Sequence, residues 1–168
     1  MAEKVVILVG HGGVPSDFPR DVLTRLKALE GRRRATGAPM TEEERALDRQ
    51  IRGWPRTPAN DPYRAGLSRV AEALAPKLRG ASLVLAYNEF CGPSLEEAFE
   101  RAVESGAREV TVIPSMLTPG GVHSEVEIPE TLAALRAAHP AVTLRYAWPF
   151  DMDRVTDMLA AHALEQAS

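Results

Sequence analysis

Two histidines, His11 and His123, each follow a predicted strand and lie beside glycines. His11 ends an apolar run that begins at Val5, and His123 comes after the Gly120-Gly121 turn that follows a second apolar segment. In an open parallel sheet both side chains would lie at the carboxyl edge, where ligands bind. Neutral imidazole binds borderline divalent metals and accepts a proton near neutral pH. The pair therefore predicts either a metal site or an acid–base site.

A carboxylate would assist either chemistry, and Glu89 is placed to supply one. It follows a predicted strand that ends at Asn88 and should lie at the same edge as His11 and His123. Glu127 lies four residues after His123, a spacing that puts both on one helix face once the helix has begun. We nevertheless expect Glu127 to be an ordinary exposed helix residue.

Each of these residues also has a purely structural interpretation. A histidine after a strand can simply hydrogen-bond turn carbonyls, and Glu89 can cap the next helix or pair with an arginine. Two histidines in equivalent contexts favour function over that alternative. His139 and His162 receive no catalytic role, and Cys91 is expected to be a small buried hydrophobe.

Apolar runs of strand length alternate with segments of helical period, which predicts βα units and a parallel sheet. The four near-continuously apolar runs predict strands buried on both faces, at residues 4–10, 82–88, 109–114 and 142–147. Asp61-Pro62 predicts a helix start, and Ser94 with Glu97 forms a capping box for a helix that reaches about Ser105. Two more helices are predicted, one from His123 or Ser124 to Ala138 and one from about Asp153 to the chain end.

Residues 14–60 depart from this alternation, because several helical pieces stand where one crossover helix is expected. We interpret the segment as a helical insertion, with helices near 21–34 and from the Thr41 cap to about Arg52. It is rich in arginine and also contains glutamate and aspartate. Two interpretations stay open: a solvated helical hairpin of mixed charge, or a lid that meets an anionic ligand through Arg32, Arg33 and Arg34.

Length and composition narrow the class of protein. The 168 residues suit one domain that spans 1–168. The net charge of -3 gives no overall electrostatic attraction for nucleic acid. The single cysteine excludes an internal disulfide framework and fits a reducing compartment. No apolar run approaches the roughly 18 residues of a membrane span. We expect a cytoplasmic protein with a small-molecule partner.

Several short motifs, in their order and spacing, resemble the small sirohydrochlorin chelatases of the CbiX/SirB type, which are class II tetrapyrrole chelatases. They cover the first strand and most of the chain from Tyr63 onward. These motifs are Val9-Gly10-His11-Gly12, the stretch from Glu89 to Ala98, Val112-Ile113-Pro114, Gly120-Gly121-Val122-His123, and Ile128-Pro129. The 14–60 insertion departs from the family, in which such short chains have a single helix there.

The resemblance implies a three-layer α/β/α fold around a central four-stranded parallel sheet. It also implies that His11, His123 and Glu89 bind a divalent metal and assist its insertion into a tetrapyrrole, for cobalamin or siroheme-type biosynthesis. The metal would be a substrate, cobalt first, with iron and nickel as alternatives, and no organic cofactor is expected. Larger members place two similar halves in one chain and short members pair two chains, so the resemblance implies a homodimer.

Two rival functions stay open at the sequence level. One is a non-catalytic metal or tetrapyrrole carrier on the same fold, which would bind its ligand without turnover. The other is a histidine phosphatase, in which a histidine after a strand is the nucleophile. Those enzymes have an arginine immediately before the histidine, where this chain has Gly10, so this interpretation ranks low.

Overall fold

A computed structural model describes residues 3–166. Its centre is a four-stranded, wholly parallel sheet in the order β2-β1-β3-β4. The strands are β1 Lys4–Gly10, β2 Ser82–Tyr87, β3 Glu109–Pro114 and β4 Thr143–Tyr146. The predicted fold class is confirmed, and each strand lies within one residue of its predicted bounds.

Within residues 3–166, six α-helices connect and follow the strands. They are α1 Arg20–Thr36, α2 Glu42–Arg52, α3 Pro62–Leu74, α4 Leu95–Glu104, α5 Ile128–Ala138 and α6 Met152–Gln166, with a short 3-10 turn over Ala75–Lys77. The predicted caps form: Thr41, Asp61 and Ser94 each accept a hydrogen bond from the backbone N–H three residues on. α6 is present as predicted, although the last two residues of its predicted extent lie outside the described part of the chain.

Side chains of the sheet alternate between two helical layers, as parallel strands require. Ile7, Val9, Val110 and Val112 point to one face and pack with residues of α4 and α5, among them Phe99 and Leu132. On the other face Leu8 and Tyr87 pack against Leu67 of α3. This arrangement is the predicted three-layer architecture. None of the helices in residues 3–166 is sufficiently long and apolar to cross a membrane.

The helical insertion has a small core of its own. Phe18, Leu26 and Ile51 are buried together, and the buried carboxylate of Glu44 on α2 accepts a 2.8 Å hydrogen bond from Arg33 on α1. An exposed ion pair between Arg25 and Glu43 links the two helices as well. The two helices of the segment therefore pack against each other around buried side chains, which a fully solvated hairpin would lack.

Candidate metal centre

The strand register brings the three predicted site residues to one edge. Gly10 pairs with Tyr87, and Val9 pairs with Pro114, so β1, β2 and β3 end at the same level. The chain leaves β1 at His11 and β2 at Asn88 and Glu89. The loop after β3 is longer and returns to this edge at His123.

The loops after β1 and β2 continue the ladder beyond the strands. The backbone N–H of Asn88 donates to Gly10 O at 2.9 Å, and the N–H of Glu89 donates to His11 O at 2.8 Å. Gly12 follows with φ of 97°, and a Cβ there would collide with the carbonyl oxygen of Glu89. A glycine is therefore required for the close approach that holds His11 beside Glu89.

His11 is also held from α3. Its backbone N–H donates to the phenol oxygen of Tyr63 at 2.8 Å, an interaction that the apolar spacing of α3 did not indicate. Its ring Nδ1 lies 2.9 Å from the carbonyl oxygen of Gly12. A carbonyl only accepts, so we place the proton on Nδ1, which leaves the Nε2 lone pair of His11 free.

His123 lies at the start of a π-helical turn, His123–Glu127, that leads into α5. The helix predicted from this point is confirmed, with the difference that its first turn is wider. Pro129 has no N–H to donate into that turn, and the carbonyl of Ser124 accepts instead from the Tyr146 hydroxyl at 2.8 Å. Burial raises the pKa of Tyr146 to about 12, so the phenol keeps its proton and remains a donor.

The ring of His123 is oriented by Glu127, with Asn88 beside the pair. Its Nδ1 lies 2.7 Å from Glu127 Oε2 and 2.6 Å from the Asn88 amide nitrogen, which itself donates to Glu127 Oε2 at 2.9 Å. Because a carboxylate only accepts, we place the His123 proton on Nδ1, which donates to Glu127. The Asn88 amide nitrogen is itself a donor, so its approach to Nδ1 is a contact and not a hydrogen bond. The expectation that Glu127 is an ordinary exposed helix residue is wrong, since its carboxylate fixes the tautomer that frees Nε2 of His123.

The three predicted residues meet as a compact set of donors. One ligand atom from each of His11, Glu89 and His123 lies within 4.8 Å of the others. The imidazole rings meet edge to face, with centroids 4.7 Å apart and planes at 84°. His123 Nε2 lies 3.6 Å from Glu89 Oε1. Two nitrogens and a carboxylate oxygen suit cobalt, iron, nickel or zinc better than calcium or magnesium.

Two residues of the site carry no sequence signal that identifies them. Asn88 reads as the last residue of a strand, yet its amide contacts both His123 and Glu127. Arg34 reads as one of several insertion arginines, yet its Nη2 lies 3.4 Å from Glu89 Oε1 and 3.3 Å from Glu127 Oε1. Sequence periodicity does not predict the position of either side chain, because the contacts of Asn88 and Arg34 join elements that are far apart in sequence.

The remaining candidates, which were predicted to have no catalytic role, do not join the set of ligands formed by His11, Glu89 and His123. His139 pairs with Glu100 at 2.8 Å and contacts the Phe99 ring, and His162 is exposed on α6. Cys91 is buried in the α3 layer, where burial raises the pKa of its thiol. A protonated buried thiol is a poor metal ligand.

A cavity of about 390 Å³ lies beside the centre, between the insertion and α5. It is strongly acidic, because seven carboxylates and three arginines line it. The acidic residues are Glu30, Glu44, Asp48, Glu89, Glu96, Glu127 and Glu130, and the basic ones are Arg33, Arg34 and Arg52. This excess of negative charge suits a cation and disfavours a ligand with several carboxylates.

Fold and site together define an α/β protein with a candidate metal centre at the carboxyl edge of its sheet. The family model for CbiX matches residues 59–166, and this chain belongs to the CbiX family. The matched region contains Glu89 and His123, and the insertion lies almost wholly before it.

Individual relatives match over shorter stretches. A sirohydrochlorin ferrochelatase of Priestia megaterium is 32% identical over 72 residues, which is 42% of this chain and 27% of that protein. A sirohydrochlorin cobaltochelatase of Methanopyrus kandleri is 32% identical over 72 residues, which is 42% of this chain and 50% of that protein. The aligned stretches thus span half the length of these relatives or less.

Solved structures share the fold. A CbiX protein of Marinobacter aquaeolei, described as a putative cobalamin biosynthesis protein, superposes with a TM-score of 0.54 at 20% identity, over 97% of this chain and 98% of that one. SirB of Bacillus subtilis with Fe³⁺ superposes with a TM-score of 0.53 at 18% identity, over 91% of this chain and 43% of that one. At these identities the likeness concerns the fold alone.

Proposed function

We propose that this chain is a sirohydrochlorin chelatase, which inserts a divalent metal, cobalt first, with iron or nickel as alternatives, into the macrocycle. The observation that carries the proposal is the convergence of ligand atoms from His11, Glu89 and His123 within 4.8 Å of one another. The family membership and the names of the relatives support the substrate. In this proposal residues 1–168 form one domain in which 14–60 is an insertion.

Metal insertion makes three demands on a protein. The ion must lose water, two pyrrole N–H protons must be removed, and the macrocycle must be held with its nitrogens towards the ion. Three protein ligands leave coordination positions open for the incoming nitrogens, as a transfer site requires. Glu127 keeps the Nδ1 proton of His123 in place and so raises the basicity of its Nε2 as a ligand.

We assign the proton transfer to the histidines, because a neutral imidazole accepts protons near neutral pH. Each ring has a single lone pair, at Nε2, so a histidine takes up a pyrrole proton there as it gives up the ion to the macrocycle. His11 is the least buried of the three residues and does not line the acidic cavity, whereas Glu89 does. Sirohydrochlorin carries several carboxylates, which the cavity would repel. The macrocycle should therefore approach from the His11 side, and the metal from the acidic side.

Anaerobic absorbance tests this function directly. We expect native protein, at a concentration well below that of sirohydrochlorin, to accelerate insertion of Co²⁺, Fe²⁺ or Ni²⁺ over the protein-free rate and to turn over repeatedly. The three metals run in parallel would also rank its preference. A spectral change that stops at one macrocycle per protein would instead support the carrier, and an unchanged rate with all three metals would refute the chelatase.

We also propose that the protein forms a homodimer. No residue of α6 is buried, and its Met158 and Leu159 are 54% and 55% exposed. Beside them an apolar cavity of about 610 Å³ is lined by Leu117, Trp148 and Phe150, among others. Exposed apolar surface of this kind on one helix is typical of an interface, here with a second copy of the chain.

Light scattering at micromolar concentration should give about twice the 18.3 kDa mass of one chain. Replacing Met158 and Leu159 together with glutamate should shift the protein to a monomer, because the charges would be desolvated at the interface. Asp157→Asn on the same helix is the matched control and should stay dimeric. A native monomer would count against the proposal.

A further inference from the structure

Arg34 bridges the insertion and the candidate metal centre. Its Nη2 lies 2.7 Å from Glu30 Oε1, 3.3 Å from Glu127 Oε1 and 3.4 Å from Glu89 Oε1. That Glu89 oxygen is the same atom that lies 3.6 Å from His123 Nε2. One guanidinium thus contacts a proposed metal ligand and the carboxylate that orients a second ligand.

Such a position creates a conflict with a divalent cation. A metal held by Glu89 and His123 would lie within a few ångströms of the guanidinium charge, and the two cations repel each other. They also compete for the same oxygen of Glu89, because Arg34 donates to Oε1, the oxygen that faces His123. The arginine and the metal therefore weaken each other's interaction with Glu89.

We propose that Arg34 is an internal competitor of the metal, which holds Glu89 and Glu127 in the metal-free protein and yields Glu89 when the ion binds. This inference rests on the proposed function of the centre. Weakened binding is useful for a metal that is a substrate, since an ion held too tightly would not pass to the macrocycle. Arg34 would then favour release by recovering Glu89 as the metal leaves.

The surroundings of Arg34 suit this exchange. Glu30 lies one helical turn before it on α1 and holds the guanidinium most closely, at 2.7 Å, so Arg34 keeps a partner after it leaves Glu89. Its side chain is 47% exposed, which leaves room for the movement. The neighbouring Arg33 is instead committed to the buried Glu44, and this pair fixes α1 in place above the centre.

The acidic cavity provides a route by which a cation would reach Arg34 and its carboxylate partners. Arg34 lines the cavity, as do Glu89 and Glu127, whereas His11 and His123 do not. A cation that enters through the cavity meets the Arg34 pairs before it reaches the histidines. The insertion, which departs from the pattern of short family members, would thereby tune metal affinity from outside the ligand set.

Co²⁺ titration calorimetry of the full chain tests the inference. We expect Arg34→Met, which keeps the length of the side chain and removes its charge, to bind Co²⁺ about tenfold more tightly than native protein. Transfer of bound Co²⁺ to a coloured chelator should be slower by a similar factor. Arg34→Lys should lie closer to native protein, because the charge is kept.

Arg32→Met is the matched control, because Arg32 is exposed on the same helix and makes no ion pair within residues 3–166. It should bind Co²⁺ as native protein does. Circular dichroism should show that all variants are folded, as expected for changes at exposed side chains. Arg34→Met with unchanged or weaker Co²⁺ affinity would overturn the inference, and weaker macrocycle binding beside unchanged metal affinity would make Arg34 a carboxylate anchor instead.

A titration of His123→Ala separates this inference from the proposed function beneath it. If native Co²⁺ binding depends on His123 but not on the charge at position 34, only the role of Arg34 fails. If Co²⁺ binds equally well without His123, the proposed centre is wrong, and the inference falls with it.

Discussion

Replacing His123 with alanine should lower the rate of metal insertion into sirohydrochlorin by about 100-fold or more. His123 is the residue on which the centre converges: its Nε2 faces Glu89 at 3.6 Å, its ring meets His11 edge to face, and its Nδ1 is held by Glu127. Alanine removes one of three ligands and one proton acceptor together. The measurement is anaerobic absorbance at fixed metal and macrocycle, with Co²⁺ affinity measured in parallel.

Three further variants sharpen that result. His11→Ala should also lose insertion, because it removes the other imidazole. Glu127→Gln should cost about 10- to 100-fold in metal affinity, since it weakens the interaction that fixes the His123 tautomer but leaves all three ligands. His139→Ala is the control, a partly buried histidine paired with Glu100 well away from the centre. Native insertion rates in His123→Ala would refute the proposed site.

The convergence of the three site residues follows from period and order in the sequence. Four apolar runs alternate with helical segments, and this alternation dictates parallel strands whose carboxyl ends share an edge. A residue placed just after a strand is thereby located in three dimensions without knowledge of its contacts. His11 and Glu89 are of this kind, and the glycine turn before His123 extends the same reasoning to a longer loop.

The partners of these residues are not encoded in any local pattern. Arg34 reaches Glu127 across 93 positions and Asn88 reaches the same carboxylate across 39, and such contacts depend on how separate helices pack. The π-helical turn at His123 is equally unpredictable from sequence. Pro129 has the pattern of an ordinary first-turn proline, and the donor that compensates for its missing N–H, Tyr146, lies on β4. Sequence therefore locates the ligands but not the groups that orient them.

The insertion is a further case in which local sequence patterns predict the helices but not how they pack against the rest of the fold. Its helices and the Thr41 cap are predictable, since they depend on period and capping residues. Its attachment to the sheet is not, because it is made by single arginines that bond backbone carbonyls. Arg52 donates to Asn88 O and Cys91 O at 3.0 Å, which ties α2 to the loop that carries Glu89.

Arg56 makes the most buried of these attachments. Its side chain is 3% exposed and pairs with Asp61, which is 1% exposed. The guanidinium also donates to Gly13 O at 2.8 Å, to Ile51 O at 3.0 Å and to Phe90 O. One side chain thus joins the loop after His11, the end of α2, the loop after Glu89 and the cap of α3.

Truncating Arg56 to alanine should therefore lower the free energy of unfolding by about 3–5 kcal/mol, because the carboxylate of Asp61 would stay buried without its counter-charge. Urea denaturation measures this loss. Arg25→Ala is the matched control: its pair with Glu43 is exposed, and removing it should cost about 0–1 kcal/mol. The loops that carry His11 and Glu89 should loosen as well, so Co²⁺ affinity should fall in Arg56→Ala even where the protein is still folded. An Arg56→Ala protein as stable as Arg25→Ala would show that the buried Arg56–Asp61 pair does not stabilise the attachment of the insertion to the sheet.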